Sequence, residues 1–127
     1  DLAGALGDAR LAMGQRDAVP AGIYAREWLE ATGQWEAIAP HLAETDNVRS
    51  ALALVARAET PLGVVYRTDA LAEPQVRILY DIPQDTHSPI TYPAAALTDS
   101  GAAFMAHLQS DDARAVFARH GFKPLPE

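Results

Sequence analysis

Cysteine is absent from the 127 residues, and lysine occurs once, at Lys123. The first absence excludes a disulfide scaffold, cysteine-ligated zinc, an iron–sulfur cluster and a thiol nucleophile. It leaves the compartment open. Basic residues are few altogether: ten Lys and Arg stand against seventeen Asp and Glu, a formal net charge of -7. A nucleic-acid backbone or an anionic membrane surface requires a basic patch that releases counterions, so neither is expected as the main partner. No apolar run approaches the ~20 residues that span a bilayer. The amino terminus also lacks a basic stretch followed by a hydrophobic core. The chain therefore reads as soluble, without membrane insertion, and as mature, cytosolic or a fragment.

What is present is an ordinary globular composition, 49% apolar and 21% charged. A chain of this length buries roughly two-thirds of its unfolded surface and needs no staple. Short apolar runs alternate with amphipathic stretches, a pattern that favours an α/β layered fold. Leu11 to Gly14 is a candidate strand. Pro20 suits a first helical turn, Tyr24, Ala25, Trp28, Leu29 and Ala31 form its stripe, and Gly33 ends it. Trp35, Ile38, Ala39 and Leu42 make a shorter helical stripe broken at Pro40. Asp46 or Asn47 caps a further helix whose Val48, Ala51, Leu52 and Val55 face inward while Arg49 and Arg57 face out. Leu62 to Tyr66 reads as a central strand covered on both faces. Val76 to Ile82 alternates as a one-sided strand, and Ile90 to Leu97 is extended, with Pro93 marking a bend or crossing. Thr98 to Ser100 and Ser110 to Asp112 cap two closing helices, the second stopped by Gly121.

Two helix starts carry the most chemistry, Val19-Pro20-Ala21-Gly22 and Asp46-Asn47-Val48, and both are read as lacking a charged partner. First-turn N–H groups have no intrahelical acceptor and sit at the positive end of the helix dipole, so each start can receive an oxyanion. Most helix starts bind only water or a capping side chain, and spacing alone does not choose. Tyr66 follows the apolar run, where ligands of open α/β sheets bind beyond the strand ends. Its phenol can donate to an anion there or simply reach solvent.

The segments Leu11 to Gly14, Val19 to Ala25, Asn47 to Val55, Pro61 to Tyr66 and Tyr92-Pro93, with His120-Gly121-Phe122 near the end, resemble the periplasmic molybdate-binding proteins of ABC transporters. The similarity covers nearly the whole chain in order. It rests on V-P-A-G-x-Y-A, N-V-R-x-A-L-x-L-V and P-L-G-V-V-Y occurring together. The turn Gly14-Gln15-Arg16-Asp17 departs from the family, which usually has an acidic residue followed by proline there. The resemblance implies an α/β three-layer sandwich lobe of a type II periplasmic binding protein, with a mixed, mostly parallel sheet flanked by helices. It implies a second, ligand-binding lobe over residues 1–92. Residues 93–127 would be a crossover strand and carboxyl-terminal helices that pack on a first lobe lying before residue 1.

By the same resemblance the ligand is molybdate or tungstate, held by uncharged donors: the backbone N–H of Ala21, the backbone N–H of Val48 and the hydroxyl of Tyr66. Further donors are serine hydroxyls of the first lobe. The implied setting is periplasmic, the implied partner an ABC permease, and no cofactor is required. Alternatives are a single-lobe interaction domain or a receptor for another oxyanion such as sulfate. Without the other lobe, Phe104, Leu108, Val116 and Phe117 would be exposed, and a homo-oligomer through these helices is expected; otherwise they are ordinary core stripes.

An enzyme is not expected. His41, His87, His107 and His120 have no metal-ligand spacing, so no direct cation site is expected. Asp85, His87 and Ser88 hold the residue types of a hydrolytic triad but stand too close in sequence, without a nucleophile elbow, and read as a structural loop. Asp111 and Asp112 read as partners of a helix dipole.

Overall fold

The protein is described from a computed structural model over residues 1–124. The chain divides into two compact units, residues 1–89 and the segment from Ile90 onward.

The first unit opens with a short helix, α1 (Leu2–Leu6), that the sequence reading does not foresee. Strand β1 (Leu11–Gly14) follows and is buried along its whole length. Helix α2 (Pro20–Ala31) starts at the proline and is closed by Thr32 and then by Gly33, whose φ of +68° suits glycine. Its buried stripe is Ala21, Gly22, Ala25, Trp28 and Leu29; Ala31, two residues after Leu29, is exposed. A single turn, α3 (Trp35–Ile38), runs into a 3₁₀ turn at Ala39–His41. Leu42 does not extend that helical stripe. It begins strand β2 (Leu42–Thr45), because Pro40 ends the helix and the freed segment finds a ladder partner in β1. Helix α4 (Val48–Ala56) is followed by β3 (Leu62–Gly63) and by α5 (Arg67–Ala72), the latter also unforeseen.

The three strands are parallel in the order β2-β1-β3, with Leu11 opposite both Leu42 and Leu62. The sheet is parallel throughout, not mixed. The central position belongs to β1, and the expectation of a central strand at Leu62 to Val65 is corrected. Only Leu62 and Gly63 form the strand, at an edge, and the Val64 N–H adds one more bond to the Ala12 carbonyl (2.8 Å). The reason is burial on two faces: Leu11, Ala12 and Met13 have almost no exposed surface, whereas Leu62 is half-buried and Gly63 exposed. Val76 to Ile82 is not a strand either. Alternation suits a pleat, but a strand exists only with a ladder partner, and among the described residues this stretch has none. It is held instead by Tyr80 stacked on Trp28 and by the Arg67–Asp81 ion pair at 2.6 Å. The core gathers Leu6, Leu11, Met13, Ala25, Trp28, Leu29, Ile38 and Leu42.

In the second unit, Ile90 to Leu97 has no regular structure. Helix α6 (Asp99–Leu108) begins after Thr98, whose hydroxyl bonds Ser100 and not a helix N–H. Helix α7 (Asp111–Arg119) is capped by the Ser110 hydroxyl, carries Asp111 and Asp112 in its first turn, and is followed by Gly121 at φ +88°. Tyr92 and Phe117 both pack edge-on against Phe122. Phe104, Val116 and Phe117 are exposed, so the reading of these residues as core stripes does not hold; Ala113 is the buried residue of this pair of helices.

Candidate oxyanion site

Parallel strands end at the same side of a sheet, and in this chain each of the three leads straight into a helix start. Gly14 leads to α2, Thr45 to α4, and Gly63, through Val64 and Val65, to Tyr66 and α5. Ala21 is the second residue of α2, Val48 the first of α4, and Tyr66 the residue immediately before α5. The topology thus gathers all three expected residues at the carboxyl edge, the place where open α/β sheets bind ligands. Local bonds hold the first two turns together. The Gln15 N–H donates to the Thr45 carbonyl (2.8 Å), and the Thr45 hydroxyl points between the carbonyl oxygens of Met13 (3.3 Å) and Asn47 (2.8 Å).

The start of α2 is bare by construction. Pro20 has no N–H, Val19 supplies no side-chain cap, and the first turn holds no acidic residue. The first intrahelical bond runs from the Ile23 N–H to the Val19 carbonyl (2.9 Å), so the N–H groups of Ala21 and Gly22 precede the ladder. Gly22 lies against the end of β1: a Cβ built there would fall 2.1 Å from the Gly14 oxygen and 2.4 Å from the Gln15 oxygen. The turn that departs from the family pattern closes on itself, with the Gln15 side-chain oxygen accepting from the N–H groups of Asp17 (2.9 Å) and Ala18 (2.7 Å).

The start of α4 is capped by Asn47, not Asp46, through the Ser50 N–H (2.8 Å). That leaves the N–H groups of Val48 and Arg49 in the first turn. Charge around the β1–α2 turn is balanced in pairs. Arg16 meets Glu44 with two guanidinium nitrogens (2.8 and 3.0 Å) and its own N–H (2.9 Å). These bonds hold the Glu44 carboxyl below the usual range, against the opposing effect of burial. Arg26 bonds Asp17 and Glu30, and both arginines lie over the Trp35 ring at 5.1 Å.

The profile of the bacterial extracellular solute-binding proteins matches residues 1–123. The chain belongs to this solute-binding protein family. It is 42% identical over 121 residues to the molybdate-binding protein ModA of Escherichia coli K12, covering 92% of this chain and 47% of that protein. It is 41% identical over 122 residues to the molybdate-binding protein ModA of Haemophilus influenzae, covering 93% and 48%. The chain therefore spans about half the length of the curated relatives it matches. The structure of the Azotobacter vinelandii periplasmic molybdate-binding protein superposes on 100% of this chain and 58% of its own, with a TM-score of 0.78 at 19% identity. That likeness establishes the α/β fold, a small parallel sheet flanked by helices.

The relatives of this solute-binding family member are named for binding molybdate as a ligand and not for catalysis. Among the described residues no three His, Asp or Glu side chains gather as a metal site, and no helix is long and apolar enough to cross a membrane. The loop with Asp85, His87 and Ser88 is tied to α2. Ser88 gives both its N–H and its hydroxyl to Glu27, and the His87 ring lies 6.0 Å from that of Tyr24. One feature escapes sequence reasoning. Arg49, expected to face solvent, places its Nε 2.7 Å from a carboxylate oxygen of Asp69 in α5, so the α4 start has a charged pair beside it after all. The residues are 20 positions apart, and no local signal links them.

Proposed function

We propose that this chain supplies one side of a receptor site for a tetrahedral oxyanion, molybdate or tungstate, in an ABC importer. The donors are the N–H groups of Ala21 and Val48 and the hydroxyl of Tyr66. The observation that carries this reading is the convergence of two long-helix starts and Tyr66 at one edge of a parallel sheet, in a chain 42% identical to a molybdate-binding protein. Oriented N–H and O–H dipoles suit a dianion without placing a formal countercharge beside it. They also explain how a protein of net charge -7 takes up an anion, since salt screens the remote acidic surface over about 10 Å. Sulfate offers the same tetrahedral acceptors, so preference for molybdate rests on the size of the space. An ABC permease is the partner and the periplasm the setting.

Calorimetry and amide NMR with sodium molybdate and sodium sulfate test this. Molybdate heat with shifts of the Ala21 and Val48 amides is expected, and Tyr66→Phe should weaken binding by about 1.5–3 kcal/mol, the worth of a hydrogen bond to a charged group. Unmoved amides, or sulfate bound as well as molybdate, would overturn the assignment. A second proposal concerns association: Leu97 is 94% and Phe104 61% exposed, and Val116 and Phe117 are exposed with them. Light scattering should show a homo-oligomer formed through this apolar face, and a monomeric mass at high concentration refutes it.

A further inference from the structure

Asp69 is only 5% exposed, yet it is a carboxylate. One of its oxygens meets Arg49 Nε at 2.7 Å, and the other, Oδ2, is buried with no hydrogen-bond partner among the described residues. A carboxylate in such a place is costly unless something compensates its charge, and removing the compensating partner costs more than the pair ever contributes. Helix α5 does not need the group to be buried, because an acidic residue in a first turn acts equally well from the surface. The placement of the two partners gives the pair its meaning. Arg49 directly follows Val48 in the first turn of α4. Asp69 sits in the turn that closes on Tyr66: the N–H groups of Asp69 and Ala70 both donate to the Tyr66 carbonyl (3.0 and 3.1 Å).

We propose that Arg49 and Asp69 are positioning residues for the oxyanion site: the pair ties the turn bearing Val48 to the turn bearing Tyr66, and Arg49 cancels a buried negative charge that would repel the ligand. The inference rests on the donor assignment above and adds no donor to it. The Arg49 side chain is 71% exposed and needs only its Nε for the brace.

The test uses the full chain, sodium molybdate as the probe and calorimetric Kd, with urea unfolding beside it. Arg49→Gln leaves the Asp69 carboxylate without its cation, and Kd should rise at least about tenfold. The near-isosteric Asp69→Asn removes the charge and keeps the shape; Kd should rise only about threefold, and this variant carries the test if Arg49→Gln fails to fold. The double variant should return to within about threefold of Asp69→Asn, because no unpaired charge remains. A double variant as weak as Arg49→Gln, or an Arg49→Gln variant that binds like the parent while Tyr66→Phe is weakened, overturns the brace and leaves the donors standing. A parent chain that gives no molybdate response overturns both.

Discussion

Replacing Gly22 by alanine adds one methyl group at a point where α2 lies directly against the end of β1. The new Cβ would lie 2.1 Å from the Gly14 oxygen, 2.4 Å from the Gln15 oxygen and 2.6 Å from the Gly14 carbonyl carbon. A carbon–oxygen contact settles near 3.3 Å, so the shortfall is about 1.2 Å. All three neighbours are backbone, and no side-chain rotation relieves them. The start of α2 must therefore withdraw from the end of β1 by on the order of 1 Å, or the helix must fray. Alanine brings a compensating gain of up to about 1 kcal/mol in a helix relative to glycine. Overpacking costs about 1–3 kcal/mol and occasionally more, and a rigid backbone neighbour places this site at or above the upper end. The net expectation is a loss of about 2 kcal/mol, which lowers Tm by roughly 10 °C in a unit of this size.

Far-UV circular dichroism and fluorescence of the buried Trp28 follow the unfolding. Because Ala21 moves with the turn, molybdate affinity should fall as well, by about 1.5 kcal/mol or more. Gly33→Ala is the control. Its φ is +68° with open space around the site, so it should cost about 1 kcal/mol through left-handed strain and leave binding unchanged. A Gly22→Ala protein as stable as the parent would refute the close packing of α2 on β1, and with it the stated position of the Ala21 donor.

Two further outcomes follow from the same edge of the sheet. Asn47→Ala removes the acceptor for the Ser50 N–H and should cost about 1 kcal/mol in urea unfolding with an unchanged slope; no change would show that the cap is not formed. Glu44 is held below the usual carboxylate range by Arg16, so its contribution is present above that range and disappears as the pH falls through its folded-state value. Glu44→Gln should therefore be less stable than the parent at pH 7, with the gap closing below about pH 4, and a gap that widens on acidification would contradict the pairing.

The elements legible in the sequence are those written by local rules. Pro20 and Gly33 bound α2 because one lacks an N–H and the other accepts positive φ; Asn47 and Ser110 start α4 and α7 because their side chains reach back to free N–H groups. Leu11 to Gly14 is apolar enough to be a strand wherever it lies. The positions of Ala21 and Val48 at helix starts, and of Tyr66 after an apolar run, are legible for a similar reason; that they act as donors is implied by the family resemblance alone.

Pairing and burial between distant segments were decided only by the tertiary structure. Leu42 to Thr45 became a strand because β1 offered it an edge, and Val76 to Ile82, with a better alternation, did not because no edge received it. The fully buried centre went to β1 and not to the more apolar run at Leu62, since a strand is central by having neighbours on both sides. Arg49 and Asp69 were two ordinary charged residues in the sequence. Folding buried one of them beside the other, and the cost of an uncompensated charge in that place turns an unremarkable arginine into the compensating partner of a buried carboxylate.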